Sequence, residues 1–322
     1  MRVLITGGAG FIGSHLSDAH LAKGDRVVVL DDLSTGRREN LAQCASHPAF
    51  TFVKGDVVDR DAVDPLVAEA DVVYHLAAAV GVRRIIEEPL GSLRTNVEGT
   101  QTVLASADRH KKKILIASTS EVYGLSTRLP FREDDVLVLG ATSTSRWSYA
   151  CAKALDEFLA LAYVRERGLQ AICIRFFNTV GPRQTGRYGM VLPNFVRQAL
   201  AGEPMTVYGS GDQSRCFGYV GTAVAALLQI VEHPGAVGNV YNLGSSERVS
   251  IYQLAARVKE LTGSKSEIVR VPYQEAYGEG YEDIQHRAPD TTKLAALIGF
   301  DHRVTLDEIL ASVIEEQTAA VA

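Results

Sequence analysis

The chain has little cysteine, no excess of basic charge and no long apolar run. Its four cysteines, Cys44, Cys151, Cys173 and Cys216, are scattered over 322 residues with no metal-ligand spacing. Neither a disulfide framework nor a metal site is expected, and the thiols read as reduced, buried side chains of a cytoplasmic protein. Lys and Arg total 33 against 38 Asp and Glu, which gives a net charge of −5 and a pI near 5.9. The basic bias of a nucleic-acid binder is missing. No stretch is apolar over the length needed to span a bilayer, so no membrane partner is expected. Tandem repeats and low-complexity linkers are missing too. The opening residues, MRVLIT, already read as a strand and leave no room for a signal peptide. The composition, 46% hydrophobic and 22% charged, supports a well-buried core in one large or two modest domains.

What is present is a regular alternation. Residues 2–6 (RVLIT), 26–31 (RVVVLD), 51–56 (TFVKGD), 71–77 (DVVYHLA), 113–118 (KILIAS), 171–176 (AICIRF) and 239–244 (NVYNLG) read as strands. Their near-continuous apolar character suits strands covered on both faces. Segments between them, such as FIGSHLSDAHLAKG and VEGTQTVLASADRH, read as helices. This order specifies an α/β fold with a doubly wound parallel sheet. After about residue 178 the pattern loosens, and MVLPNFVRQALAGEP and SIYQLAARVKELTG read as helices of a smaller region. The expected division is a nucleotide-binding domain at 1–177, to which 218–244 returns, and a discontinuous substrate domain at 178–217 and 245–322.

LITGGAGFIGSHL follows the first strand and opens a helix. Gly7, Gly10 and Gly13 are spaced G-x-x-G-x-x-G, and Gly8, Gly10 and Gly13 also satisfy G-x-G-x-x-G. Missing Cβ atoms allow a tight turn and a close approach of backbone to a pyrophosphate. The helix N-terminus then supplies N–H groups and the positive end of its dipole. The next strand ends in Asp31 and Asp32. An acid at this place can hydrogen-bond ribose hydroxyls and repels a 2′-phosphate, so the expected cofactor is NAD. Asp56, closing the third strand, is placed to meet the adenine or to cap a turn. His75 reads as a satisfied core residue.

WSYACAKALDEF contains Tyr149-x-x-x-Lys153, which on a helix puts phenol and ammonium on one face. A nearby Lys⁺ and a positive nicotinamide favour phenolate, so a lowered tyrosine pKa is expected. Such a tyrosine can take a proton from a sugar hydroxyl while hydride leaves the same carbon. Upstream, LIASTSEVYG ends an apolar strand with Thr119, Ser120 and Glu121. A carboxylate there is either chemistry or a structural cap.

The segments TGGAGFIGSHL, DVVYHLAA, TNVEGT, STSEVYG, YACAK, RFFNTVGPR and TVYGSGDQSRCFGYV follow one another along nearly the whole chain. In this order they resemble the extended short-chain dehydrogenases/reductases that act as nucleotide-sugar epimerases, dehydratases and decarboxylases. The resemblance implies a Rossmann-type fold, a homodimer built through the Tyr149 helix, NAD as cofactor and a nucleotide sugar, most readily a UDP-sugar, as substrate. Matched by motif, Thr119 partners Tyr149, and Lys153 orients the ribose and tunes the phenol. Asn178 touches the diphosphate, Arg215 the phosphates, and Asn96 supports the active-site loop. The implied cofactor set is Gly7, Gly10, Phe11, Ile12, Gly13, Asp31, Asp32, Asp56, Ala77 and Asn96, with Tyr149 and Lys153. The implied substrate set is Ser120, Asn178, Arg187, Arg215 and Arg287, with Arg183 and Arg187 open to a phosphate or a carboxylate.

Family members that only invert C4 usually carry a small or hydroxyl residue where this chain has Glu121. A carboxylate is typical of 4,6-dehydratases and uronate decarboxylases, which also work at C5. AYGEGYEDIQHRAPD resembles the decarboxylase segment that carries an active-site arginine, here Arg287. GDP-mannose dehydratases share Thr-Ser-Glu, but they generally prefer NADP, against which Asp31 and Asp32 argue. The expected activity is UDP-glucuronate decarboxylation through a 4-keto sugar, with catalytic residues Thr119, Glu121, Tyr149, Lys153 and Arg287. The alternatives are a UDP-sugar or UDP-uronate 4-epimerase, a 4,6-dehydratase, or a silent NAD-sensing module. The acids closing the second strand generate a first test. NAD⁺ should bind more tightly than NADP⁺, by ~10-fold for each 1.4 kcal/mol of repulsion. Calorimetric titration giving equal or stronger NADP⁺ affinity would reject that assignment.

Overall fold

The computed structural model describes residues 1–187, 189–277 and 283–321. Strands β1 (Arg2–Thr6), β2 (Arg26–Asp31), β3 (Phe50–Lys54), β4 (Val72–His75), β5 (Lys113–Thr119) and β6 (Ala171–Phe176) lie in one parallel sheet. Helices α1 (Phe11–Ala22), α2 (Arg60–Glu69), α3 (Val82–Glu87), α4 (Pro89–Leu93), α5 (Gly99–Arg109) and α6 (Ser148–Arg167) connect them. The remaining strands are β7 (Thr179–Val180), β8 (Met205–Tyr208), β9 (Ser214–Cys216), β10 (Gly218–Tyr219), β11 (Val240–Leu243), β12 (Arg248–Ser250) and β13 (Ile268–Val271). The remaining helices are α7 (Val191–Ala201), α8 (Val220–Glu232), α9 (Ile251–Thr262), α10 (Tyr273–Tyr277), α11 (Thr292–Ile298) and α12 (Leu306–Val321).

The main sheet runs β11-β6-β5-β4-β1-β2-β3. The order reverses between β1 and β4, which opens a crevice at the C-terminal strand ends. Both faces are covered, as the apolar strands require. Val3, Ile5, Val29 and Ile174 pack on the side of α1 and α8, while Leu4, Val73, Ile114 and Cys173 pack on the side of α2 and α5. A separate apolar cluster around Phe195, Met205, Leu254 and Ile309 holds α7, α9, α12 and β8 together. Within it, β8 pairs in parallel with β13.

Three features differ from the sequence reading. Short strands at β8, β9, β12 and β13 were not expected, because three or four residues carry little periodic signal. Helix α11 packs on β11 and α8, with Leu294 in the same apolar cluster as Ile230, so residues 292–298 lie against the main sheet. Cys151 is exposed on α6, whereas Cys44, Cys173 and Cys216 are buried.

The long connection after β5 is tied across the sheet's C-terminal end by Asn242 of β11. The Asn242 Nδ2 donates to the carbonyls of Phe131 (2.9 Å) and Asp290 (3.2 Å), and its Oδ1 accepts from the Tyr123 hydroxyl at 2.7 Å. Tyr123 stacks on Phe131 with ring centroids 4.5 Å apart. This fully buried amide therefore sets where the chain carrying residues 120–147 can lie. Asn242→Leu strands the Tyr123 hydroxyl, a loss of about 1–3 kcal/mol. Melting should fall by roughly 1–5 °C. A scanning-calorimetry trace unchanged from the parent would contradict this tie.

Candidate active site

One cleft of about 1200 Å³ runs along the C-terminal ends of the sheet strands and under α7. Its near end is the turn from β1 into α1. Gly7 has φ +72°, and a Cβ on it would lie 2.6 Å from the Ala77 nitrogen. At Gly13 a Cβ would lie 2.5 Å from the Gly7 carbonyl oxygen. These two glycines let β1, β4 and α1 close together. Gly10 faces the cleft beside Phe11 and Ile12, and α1 has neither a side-chain cap nor an acid in its first turn. The bare backbone and the uncapped positive end fit a pyrophosphate.

Asp31 is buried and accepts from the backbone N–H of Ala9 (2.9 Å) and of Leu33 (2.8 Å). It thereby ties the glycine turn to the end of β2. Burial pushes its pKa up, while these two backbone bonds pull it down. Each oxygen keeps a lone pair for a ribose hydroxyl. Asp32 and Asp56 line the same wall, and each accepts a bond within its own turn, from Ser34 and Val58. Ala77 lines the opposite wall. Asn96 does not reach the cleft. Its side chain bonds both the N–H (2.8 Å) and the carbonyl (3.1 Å) of Ala79, so it shapes the loop after β4 from behind rather than from the cleft. His75 is fully buried between the hydroxyls of Thr6 (2.8 Å) and Thr100 (3.0 Å), and burial pushes its pKa down to about 3. It is a neutral core residue.

Tyr149 and Lys153 lie on one face of α6 and line the cleft. Thr119 pulls the phenol pKa down and is itself set behind the cleft wall. The expected lowering of the phenol pKa is not what the protein's own groups produce. Burial, then the charges of Glu121 and Asp156, push Tyr149 up, against downward pulls from Thr119 and Arg146. Lys153 is shared with Asp156 on the next turn, its Nζ donating to Oδ2 at 3.0 Å.

At the end of β5, Thr119 is the cap. Its hydroxyl accepts from the Glu121 N–H at 3.2 Å, which turns the Glu121 side chain toward the cleft. The carboxylate is held by two arginines. Arg146 Nη1 donates to Oε2 at 2.5 Å, and Arg287 Nη1 to Oε1 at 3.4 Å. Burial pushes the carboxyl pKa up, but Arg146, Arg287 and Arg215 together outweigh it, and the net shift is downward. Glu121 is therefore an anion at neutral pH and no proton donor. Burial and the neighbouring Arg215 pull Arg287 down to about 10, so it stays cationic at neutral pH. Its buried Nε has no hydrogen-bond partner among the described residues.

The far end of the cleft carries Asn178, whose Oδ1 is buried without a hydrogen-bond partner among the described residues, and the exposed Arg187. Arg215 lines the wall with its guanidinium on Asp283 at 3.0 and 3.2 Å. Two expectations fail here. Arg183 turns away, pairing with Asp18 of α1 at 2.7 Å while its N–H meets Glu316 at 2.6 Å. Ser120 is buried under the turn, outside the cleft lining. Residues 278–282 of the arginine-bearing segment lie outside the described residues. Sequence reasoning missed Arg146 and Asp283. The signal for Arg146 was its place one turn before Tyr149 on the same helical approach.

Known proteins share this architecture. The family model described as GDP-mannose 4,6 dehydratase matches residues 4–313. A UDP-N-acetyl-alpha-D-glucosaminuronate decarboxylase of Bacillus cytotoxicus is 41% identical, covering 98% of this chain and 97% of that protein. UDP-glucuronic acid decarboxylase 1 of Xenopus tropicalis is 38% identical over 95% of this chain and 70% of its own length. Among solved structures, UDP-glucuronic acid 4-epimerase of Bacillus cereus, in complex with UDP-glucuronic acid and NAD, aligns with TM-score 0.89 at 26% identity, covering 99% of this chain and 100% of that one. With a match over almost its full length, the chain belongs to the GDP-mannose 4,6-dehydratase family within the extended short-chain dehydrogenases/reductases, the enzymes that remodel nucleotide sugars.

Proposed function

We propose that the chain is an NAD-dependent decarboxylase of a UDP-linked hexuronate, with UDP-glucuronate as reference substrate. The observation that carries this reading is the Glu121 carboxylate held between Arg146 and Arg287 on the wall that also bears Tyr149. When bound here, the nicotinamide would accept the sugar's C4 hydrogen, return it later, and add the positive charge that favours phenolate. Tyr149, with Thr119, would take the O4 proton. A ketone at C4 makes the uronate a β-keto acid. The C5–C6 bond then breaks, its electron pair passes to the C4 oxygen as an enolate, and CO₂ leaves. C5 takes a proton, and hydrogen returned to C4 gives the UDP-pentose.

Arg287 would hold the uronate carboxylate. The Glu121 charge beside that guanidinium would repel the bound carboxylate more than the neutral CO₂ it becomes, which favours loss of the charged group over its retention. A 4,6-dehydratase needs an acid for the departing hydroxyl beside a base for C5, and next to Glu121 this chain has Ser120 rather than a second acid. The decarboxylases among the relatives support the same reading. The 41% identity to a protein named for the N-acetylated uronate favours a second substrate, the 2-acetamido form. Leu155 and Phe158 on α6 are 42% and 63% exposed, and we assign this stripe to a homodimer contact. A cytoplasmic location is part of the same proposal.

A panel of UDP-, GDP- and dTDP-sugars, read by mass spectrometry, should give CO₂ and a UDP-pentose from a UDP-uronate. Conversion of UDP-glucuronate to its C4 epimer with no CO₂ would sink the reading. Tyr149→Phe should give no NADH absorbance. Glu121→Gln should still give NADH but slow CO₂ release by roughly 10- to 100-fold, the scale of one charged interaction; turnover at the parent rate would return Glu121 to a structural role. Light scattering should give about twice the chain mass of 34.8 kDa, and a mass near 34.8 kDa would reject the dimer.

A further inference from the structure

We propose that Arg146 is a positioning residue that holds Glu121 off Arg287, leaving the Arg287 guanidinium for the substrate's carboxylate. The proposal rests on the uronate reading given above. Two arginines share one carboxylate unequally, Arg146 at 2.5 Å and Arg287 at 3.4 Å. Glu121 and Arg287 line the cleft, while Arg146 lies behind them. Arg146 is fixed where it stands. Its side chain is buried, and its guanidinium lies 5.5 Å from the buried Trp147 ring. That ring packs so closely on Gly140 that a Cβ there would meet the indole nitrogen at 2.1 Å.

The groups facing the carboxylate come from four places in the chain. Arg146 approaches from the turn before α6, Arg287 from the segment after Ile284, Arg215 from β9, and the Tyr149 phenol from α6. Arg215 is matched by Asp283 at 3.0 Å. Glu121 is matched by Arg146. One cation, Arg287, is then left with a long contact and a buried Nε that has no hydrogen-bond partner among the described residues. An anionic group entering the cleft completes that guanidinium. Without Arg146, the Glu121 carboxylate has no competing cation at bonding distance among the described residues. It would close onto Arg287 and cover the group that the substrate needs.

The consequence separates Arg146 from Glu121 in opposite directions. Removing Arg146 masks Arg287 and weakens binding of the uronate. Removing the Glu121 charge uncovers Arg287 and does not weaken it. Affinities measured by calorimetry in a Tyr149→Phe background, with NAD⁺ saturating, avoid turnover. Arg146→Met should weaken UDP-glucuronate by ~10-fold or more, the scale of one charged hydrogen bond, and leave UDP-glucose within about 2-fold. Arg146→Lys should recover most of the loss. Glu121→Gln added to Arg146→Met should recover it as well, because no carboxylate remains to cover Arg287. Equal weakening of both sugars, or no recovery in the double variant, would show a merely structural Arg146 and overturn the proposal. The reaction is checked separately by CO₂ release from the parent enzyme. Its absence would remove the decarboxylase reading, while the difference between the two sugars still decides the role of Arg146.

Discussion

The Glu121 carboxylate, pinned between Arg146 and Arg287, is the interaction on which the active wall depends. Desolvating a carboxylate costs several kcal/mol unless it is paired, and breaking such a buried pair costs about 3–5 kcal/mol. The pair is affordable here because its members arrive from three separate parts of the chain, each fixed by the fold. The end of β5 brings Glu121, with Thr119 turning it outward. The turn into α6 brings Arg146 together with Tyr149. The crossing after Ile284 brings Arg287, whose N–H bonds the Ser214 carbonyl at 3.2 Å. Asn242 fastens the connection after β5 and the segment near Asp290 to the same strand, so two of these arrivals share one anchor.

The same wall places opposing demands on its charges. Tyr149 must give up a proton, yet burial and the two nearby carboxylates, Glu121 and Asp156, oppose this. Thr119 and Arg146 work in the other direction. Arg146 thus serves both halves of the site, neutralising Glu121 and easing the ionisation of the phenol. Lys153, tied to Asp156, is held in the cleft wall as a fixed donor and adds little free charge.

The parts legible in the sequence were those that depend on local spacing. The glycine turn, the acid ending β2 and the Tyr149-Lys153 pair each follow from a few adjacent residues, and the sheet follows from apolar runs that need cover on both faces. The sequence did not reveal pairings between residues far apart in the chain. Arg183 reads as open to a phosphate or a carboxylate until Asp18 of α1 is seen beside it. Arg215 reads as a phosphate contact, and its pairing with Asp283 shows only in the fold. The phenol pKa was misjudged for the same reason, since Asp156 and Glu121 act on it through space. Arg146 was passed over because an arginine before a helix reads as surface until its burial is known.

Decarboxylation and epimerisation share the first oxidation at C4 and differ at C5, so the fate of C5 is the most direct test. UDP-glucuronate should be turned over in D₂O and the product examined by proton NMR and mass spectrometry. The account requires a UDP-pentose with one solvent deuterium at C5, the original hydrogen retained at C4, and one CO₂ per product. A six-carbon product that keeps its C5 hydrogen would contradict it, and would leave the Glu121 cluster without a role in chemistry at C5.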